Sequence, residues 1–240
     1  MDYTKLSSEH QIKELLSAIT HVLGKYQDLR AIISLPNEDG RNVGIYGIQT
    51  TIFSLGLTYH AIIGAGLTPQ RTKDEVLASF KHYHTFEGKT DDQMIDLAAD
   101  FWKNSVLSLT HFRLDSLFRN LIKALGGNPG SQGFGPNTTL LFNLITLRDR
   151  TTNENILDIF SAMRNSLHNN GIHIKNPIPL TIFYGMQYEF QPEIDIKCAS
   201  FGHIFAILEA TADVLTDVLT SPEIIALPKV EDLYADLNPE

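Results

Sequence analysis

The chain has 240 residues, 43% hydrophobic and 20% charged, the composition of a soluble globular protein with a sizeable core, and it is read as one domain over 1–240. Its 19 basic and 28 acidic side chains leave a formal net charge of −9, so the surface as a whole repels nucleic-acid phosphates and any such role needs a local basic site. One cysteine, Cys198, excludes an internal disulfide and a cysteine-built zinc cluster, and fits a cytoplasmic location.

The first stretch, "MDYTKLSSEHQIKELL", lacks the basic start and apolar core of a signal peptide. Apolar positions three and four apart predict an amphipathic helix over 8–26. Turn residues "SLPNEDGRN" at 34–42 separate it from "VGIYGIQTTIFSLGLTYHAIIGAGL" at 43–67. That segment is long enough to raise a membrane span, but it holds Gln49, Ser54 and His60 and has no basic cluster beside it. It reads instead as a buried helix with glycine contact points, and no membrane partner is expected.

A short helix is predicted over 68–86, after a proline start. The longest helical pattern follows over 91–127 and closes on Gly126-Gly127 as a C-cap. A loop at 128–137 leads to a helix beginning at Thr138, and the next helix opens at Thr151 and Glu154 with capping-box spacing. Two β-rich runs flank Tyr184-Gly185 and predict a small hairpin within 179–196. A last long helix is predicted over 198–220, before Pro222 and an acidic tail. The expected fold class is therefore mainly α: an antiparallel helical bundle with one small hairpin before the last long helix.

The chemistry gathers in "MRNSLHNNGIH" at 163–173. On a helix turning about 100° per residue, Ile156, Phe160, Met163 and Leu167 make one apolar stripe. Leu157, Ser161, Arg164 and His168 make the adjacent row, so Arg164 and His168 stand one turn apart on the shoulder of the buried face. Asn165 points farther toward solvent. The helix is expected to stop at Asn169-Asn170-Gly171, with Asn170 or Gly171 in the left-handed conformation. An arginine directed at phosphate beside a histidine able to move protons is one reading; a basic, asparagine-capped helix end is the other.

"RNSLHNNG" on a helix end, followed by a hairpin and another amphipathic helix, resembles the HEPN superfamily of helical bundles. The upstream "HFRLDSLFRNL" at 111–121 is similar to the long-helix segment that precedes the motif in several of its families. The resemblance is strongest over 91–220. Many members are metal-independent ribonucleases, often of toxin–antitoxin or anti-phage systems, whose signature is an arginine, a polar residue and then a histidine after four to six intervening residues. Here three residues separate Arg164 from His168. The resemblance implies that Arg164 and His168 are catalytic and that Asn165 and Asn169 orient the phosphate or cap the helix. It also implies that two protomers pair their motif helices across a cleft to cut RNA without a cofactor. The second function class is a non-catalytic dimeric helical module binding a nucleotide or a protein partner such as an antitoxin, and the acidic balance favours it.

Other candidates are weaker. His82 and His84 point about 200° apart on a helix, so joint metal ligation is not expected, and no metal site is assigned. The glycine-rich loop at 126–137 has no strand before it and no lysine closing it, unlike a phosphate loop. Arg148 and Arg150 could extend a basic rim toward Arg164 or be ordinary surface charge. No nucleophile elbow marks a Ser–His–Asp site.

Overall fold

The computed structural model describes residues 1–6, 12–65, 91–131 and 133–232. Among them the chain is a mainly helical, antiparallel bundle with one two-stranded antiparallel sheet. The helices are α1 (Ile12–Ile33), α2 (Gly40–Ala65), α3 (Asp91–Ala124), α4 (Phe134–Leu144), α5 (Arg150–His168), α6 (Phe201–Leu219) and the one-turn α7 (Pro222–Ile225). Strands β1 (Ile178–Phe183) and β2 (Met186–Phe190) lie between α5 and α6. The short helix expected at 68–86, with His82 and His84, lies outside the described residues, as do residues 8–11 of the first expected helix.

Helix α6 is the centre of the packing: α1 lies on it, α5 lies on it, and β2 covers its start. This follows from its sequence, since Phe201, Ile204, Phe205, Ile207, Leu208, Val214, Leu215 and Val218 wrap its circumference and all are buried. Helix α2 packs on α1 and α3. The predicted glycine contacts are present: a Cβ on Gly44 would stand 2.9 Å from Leu117 Cδ1, and one on Gly56 would stand 2.8 Å from Ile19 Cδ1. Those two positions let α2 approach both neighbours closely. No helix of the described residues is long and apolar enough to cross a membrane.

Boundaries differ from the sequence reading where tertiary contacts intervene. Helix α1 runs on to Ile33 because Leu29 is buried and Arg30 donates to Asn42 and Gln49 of α2. Helix α3 ends as expected at the glycine pair, where Gly127 N donates to Ile122 O (2.8 Å) and Gly126 N to Lys123 O (2.9 Å). Helix α4 starts at Phe134, inside the predicted loop. Pro136 lies in its first turn, where a missing amide costs nothing, and Phe134 packs on Phe118 with ring centroids 5.6 Å apart. Asn137 then folds the loop back, accepting from Gly130 N and donating to Asp115.

The hairpin turns on Tyr184-Gly185, both at positive φ (51° and 78°), the backbone that a two-residue hairpin requires. Phe183 pairs with Met186 and Thr181 with Tyr188. Met186, Tyr188 and Phe190 alternate inward from β2 onto α6.

Candidate functional site

Helix α5 carries the candidate residues and is fixed at both ends. At its start the N-cap is Asp149, whose carboxylate accepts from Thr152 N at 3.1 Å. The capping box expected from Thr151 and Glu154 does not form. Thr151 is already inside the helix, and Glu154 accepts instead from Arg150 Nε at 2.8 Å. The reason lies across the interface, in Asp217 of α6. Its carboxylate accepts from Arg148 N, Arg148 Nε, Asp149 N and Asn153 Nδ2, the last at 2.7 Å. Burial pushes the Asp217 carboxyl up, but these hydrogen bonds outweigh it and hold the group below its ordinary range. Arg148 and Arg150 are thereby committed to Asp217, Thr220, Glu154 and Phe142 O and do not extend a basic rim toward Arg164.

At the other end Asn169 is the C-cap, and both residues proposed for the left-handed stop adopt it, Asn170 at φ 56° and Gly171 at φ 87°. Gly171 N donates to Ser166 O at 2.8 Å. The chain beyond pairs back on itself: Glu193 N donates to His173 O and Ile196 N to Gly171 O. His173 locks this turn. Its Nδ1 accepts from the buried Ser166 hydroxyl (3.3 Å) and its Nε2 donates to Asn176 O (2.9 Å), so both ring nitrogens are occupied. His173 is a structural residue.

The apolar stripe of α5 is as expected, with Ile156, Phe160 and Met163 buried and Leu167 partly so. Arg164 and His168 emerge beside it. Arg164 is half-buried, its Nη1 donating to Asn165 Oδ1 at 2.9 Å. Asn165 thus holds the guanidinium rather than pointing free to solvent. Its carbon lies 5.8 Å from the centre of the Phe112 ring, on α3. His168 is exposed one turn on, with no hydrogen bond to the described residues, and Asn169 closes the helix behind it.

Five histidine side chains are described. His21, His173 and His203 are hydrogen-bonded into the fold, His21 to Glu209 and His203 to Ser200 and Gln187 O. The two left over are His168 and His111. From the sequence, His111 is weighed only beside His82 and His84 as a metal ligand, which is not expected, and it also begins "HFRLDSLFRNL". His111 lies on α3 among Phe134 (ring centroids 4.5 Å) and Phe160 (6.1 Å, stacked), and its Nδ1 is buried without a partner. Burial, and then the Arg164 charge, push its pKa down to about 4, so it is a neutral imidazole near pH 7. Only the three-dimensional crossing of α3 and α5 reveals this neighbour.

Other reactive groups are less suited to catalysis. Burial raises the Cys198 thiol to about 11, leaving it protonated. Glu209, in α6, is buried and accepts from Tyr3 Oη, His21 Nε2 and Lys25 Nζ, which ties the N-terminal turn and α1 to α6. Among the described residues no three His, Cys, Asp or Glu side chains converge as a metal-ligand set.

No family model, curated protein or solved structure matches this chain.

Proposed function

We propose that the chain is a HEPN-like, metal-independent endoribonuclease working as a homodimer, with Arg164 and His168 as its catalytic residues. The observation that carries the reading is the state of these two side chains. Arg164 Nε has no partner among the described residues, whereas Arg148 and Arg150 at the start of α5 are hydrogen-bonded, and exposed His168 stands one turn away on the same face. Arg164 neutralises the scissile phosphate as charge builds. His168 gives or takes a proton while the RNA 2′-hydroxyl attacks phosphorus and the 5′-oxygen leaves. Asn165 and Asn169 orient the guanidinium and the helix end.

One exposed histidine cannot serve both proton transfers easily, so the second comes from a partner protomer. An apolar stripe on the Arg164 side supports that arrangement: Phe101, Leu109 and Phe112 of α3 are 73%, 45% and 58% exposed. The net charge of −9 favours the second reading, a non-catalytic module whose same face binds a protein partner such as an antitoxin. The test is incubation with RNA in the presence of a chelator. The ribonuclease reading expects cleavage to 2′,3′-cyclic phosphate and 5′-hydroxyl ends, lost in Arg164→Ala; an intact RNA pool favours the module.

A further inference from the structure

Two nitrogens at the crossing of α3 and α5 have no partner among the described residues: Arg164 Nε and His111 Nδ1, both sealed from solvent. Buried polar atoms without partners are rare, and each costs about 1–3 kcal/mol. Elsewhere the molecule shows how such an edge is ordinarily filled. Arg41 turns its Nε and Nη2 onto the Asp39 carboxylate at 2.8 and 2.7 Å, the side-on fork that matches a carboxylate or a phosphate. Arg164 spends only Nη1, on Asn165, and leaves the Nε side of its guanidinium vacant.

No carboxylate of the described residues fills it. Asp115, one turn along α3 from His111, is held by Arg119 Nε (2.7 Å) and Asn137 Nδ2 (3.2 Å). The groups that bear electrostatically on His111 are Arg164 from α5, Lys175 from the turn after it, and Asp115 from its own helix, while α4 presents the Phe134 ring. Lys175 also bears on the Asp158 carboxylate of α5, so among the described residues the uncompensated positive charge at this crossing is that of Arg164. The vacancy therefore asks for an anion with several acceptor oxygens.

We propose that Arg164 and His111 form the seat of one internucleotide phosphate, and that a proton enters His111 as the phosphate is seated. The class of anion rests on the ribonuclease reading; the positive, vacant seat stands apart from it. The phosphate oxygens accept from the Nε edge of Arg164, which has no other partner among the described residues. Burial is the main reason His111 stays neutral and the Arg164 charge the second. The phosphate offsets that charge and gives the buried ring an acceptor, so the imidazole takes up a proton from solvent and becomes a further donor beside the ligand. The half-buried Arg164 side chain turns its Nε edge outward beside the Phe112 ring to meet the ligand, a side-chain motion of picoseconds to nanoseconds.

The test uses a 2′-O-methyl oligoribonucleotide, which presents the diester but lacks the nucleophile. Affinity is read by fluorescence anisotropy at pH 7.5 and 5.5 in the full chain carrying His168→Gln, which removes the other imidazole of the site. The expected result is binding at least fivefold tighter at pH 5.5, with that dependence gone in His111→Phe and affinity lost at both pH values in Arg164→Gln. A pH dependence that survives His111→Phe overturns the proposal. Should His111→Phe fail to fold, imidazole 15N shifts of the His111-containing chain decide: an upward move of the His111 titration on adding the oligonucleotide supports the seat, and an unmoved titration overturns it. Unmodified RNA assayed in parallel with the wild-type chain separates the two claims. Cleavage with pH-independent binding removes the seat and leaves the ribonuclease, whereas neither binding nor cleavage removes both.

Discussion

The guanidinium of Arg164 and the ring of Phe112 meet across two helices, 5.8 Å from carbon to ring centre. The contact helps fix where Arg164 on α5 can point, because among the described residues its other anchor is the neighbouring Asn165. A cation–π contact at an exposed ring is worth about 0.5–1 kcal/mol. Phe112→Ala should therefore lower kcat/KM for RNA by roughly two- to fivefold, with Tm nearly unchanged and activity recovered in Phe112→Tyr. An equal loss in the alanine and tyrosine variants would show that the ring does something other than hold the arginine.

The two histidines of "MRNSLHNNGIH" should separate cleanly by melting temperature. His173 fills hydrogen bonds to Ser166 and Asn176 O inside the fold, so His173→Ala should cost about 1–3 kcal/mol by stranding buried partners. Phe160→Ala opens the core between α3 and α5 and should cost roughly 3–5 kcal/mol. His168→Ala, at an exposed position, should melt like wild type. Chemical denaturation of the three variants checks the ranking, and a destabilised His168→Ala would make that residue structural.

Acid should weaken the fold in two steps. His111 is held neutral with its pKa pushed down to about 4 from 6.5, so below pH 6.5 the unfolded chain binds a proton that the folded chain refuses. Its stabilising effect is present above 6.5 and is lost as pH falls toward about 4. For Glu209, burial raises the carboxyl but the Tyr3, Lys25 and His21 hydrogen bonds prevail and lower it. That contribution is present above its ordinary value of 4.5 and is lost as pH falls through the lower folded value. Burial also lowers His203, so melting curves should decline first as pH falls below 6.5, and His111→Phe should reduce that decline without removing it. An unchanged profile in His111→Phe would contradict a buried neutral imidazole.

The periodicity of apolar residues made the fold legible. Ile156, Phe160 and Met163 are buried as the helical count requires, and Tyr184-Gly185 turns the hairpin. Helix ends were less legible where a distant side chain decides them. Asp149 caps α5 in place of Thr151 because Asp217, over sixty residues away, organises the turn. The candidate site was half legible. Arg164 and His168 share one helix, so spacing alone puts them together. His111 reaches Arg164 only through the packing of α3 on α5, and no local pattern announces that.

The proposed pairing of protomers is checked at Leu109, 45% exposed on the same helix as Phe112. Placing a charge in a buried apolar interface is costly, so Leu109→Asp should shift sedimentation from dimer to monomer. It should abolish cleavage while the helical circular dichroism stays intact. A wild-type chain that sediments as a monomer and still cleaves RNA would remove the partner protomer from the mechanism.

The most direct measurement is single-turnover cleavage of RNA by wild type and His168→Ala, with chelator present and Tm read on the same samples. The account predicts cleavage by wild type and a loss of about 10²–10⁴-fold in His168→Ala, the range for removing a general acid or base, at equal Tm. Full activity in His168→Ala would contradict the assignment of that histidine, and no cleavage by wild type would contradict the ribonuclease itself.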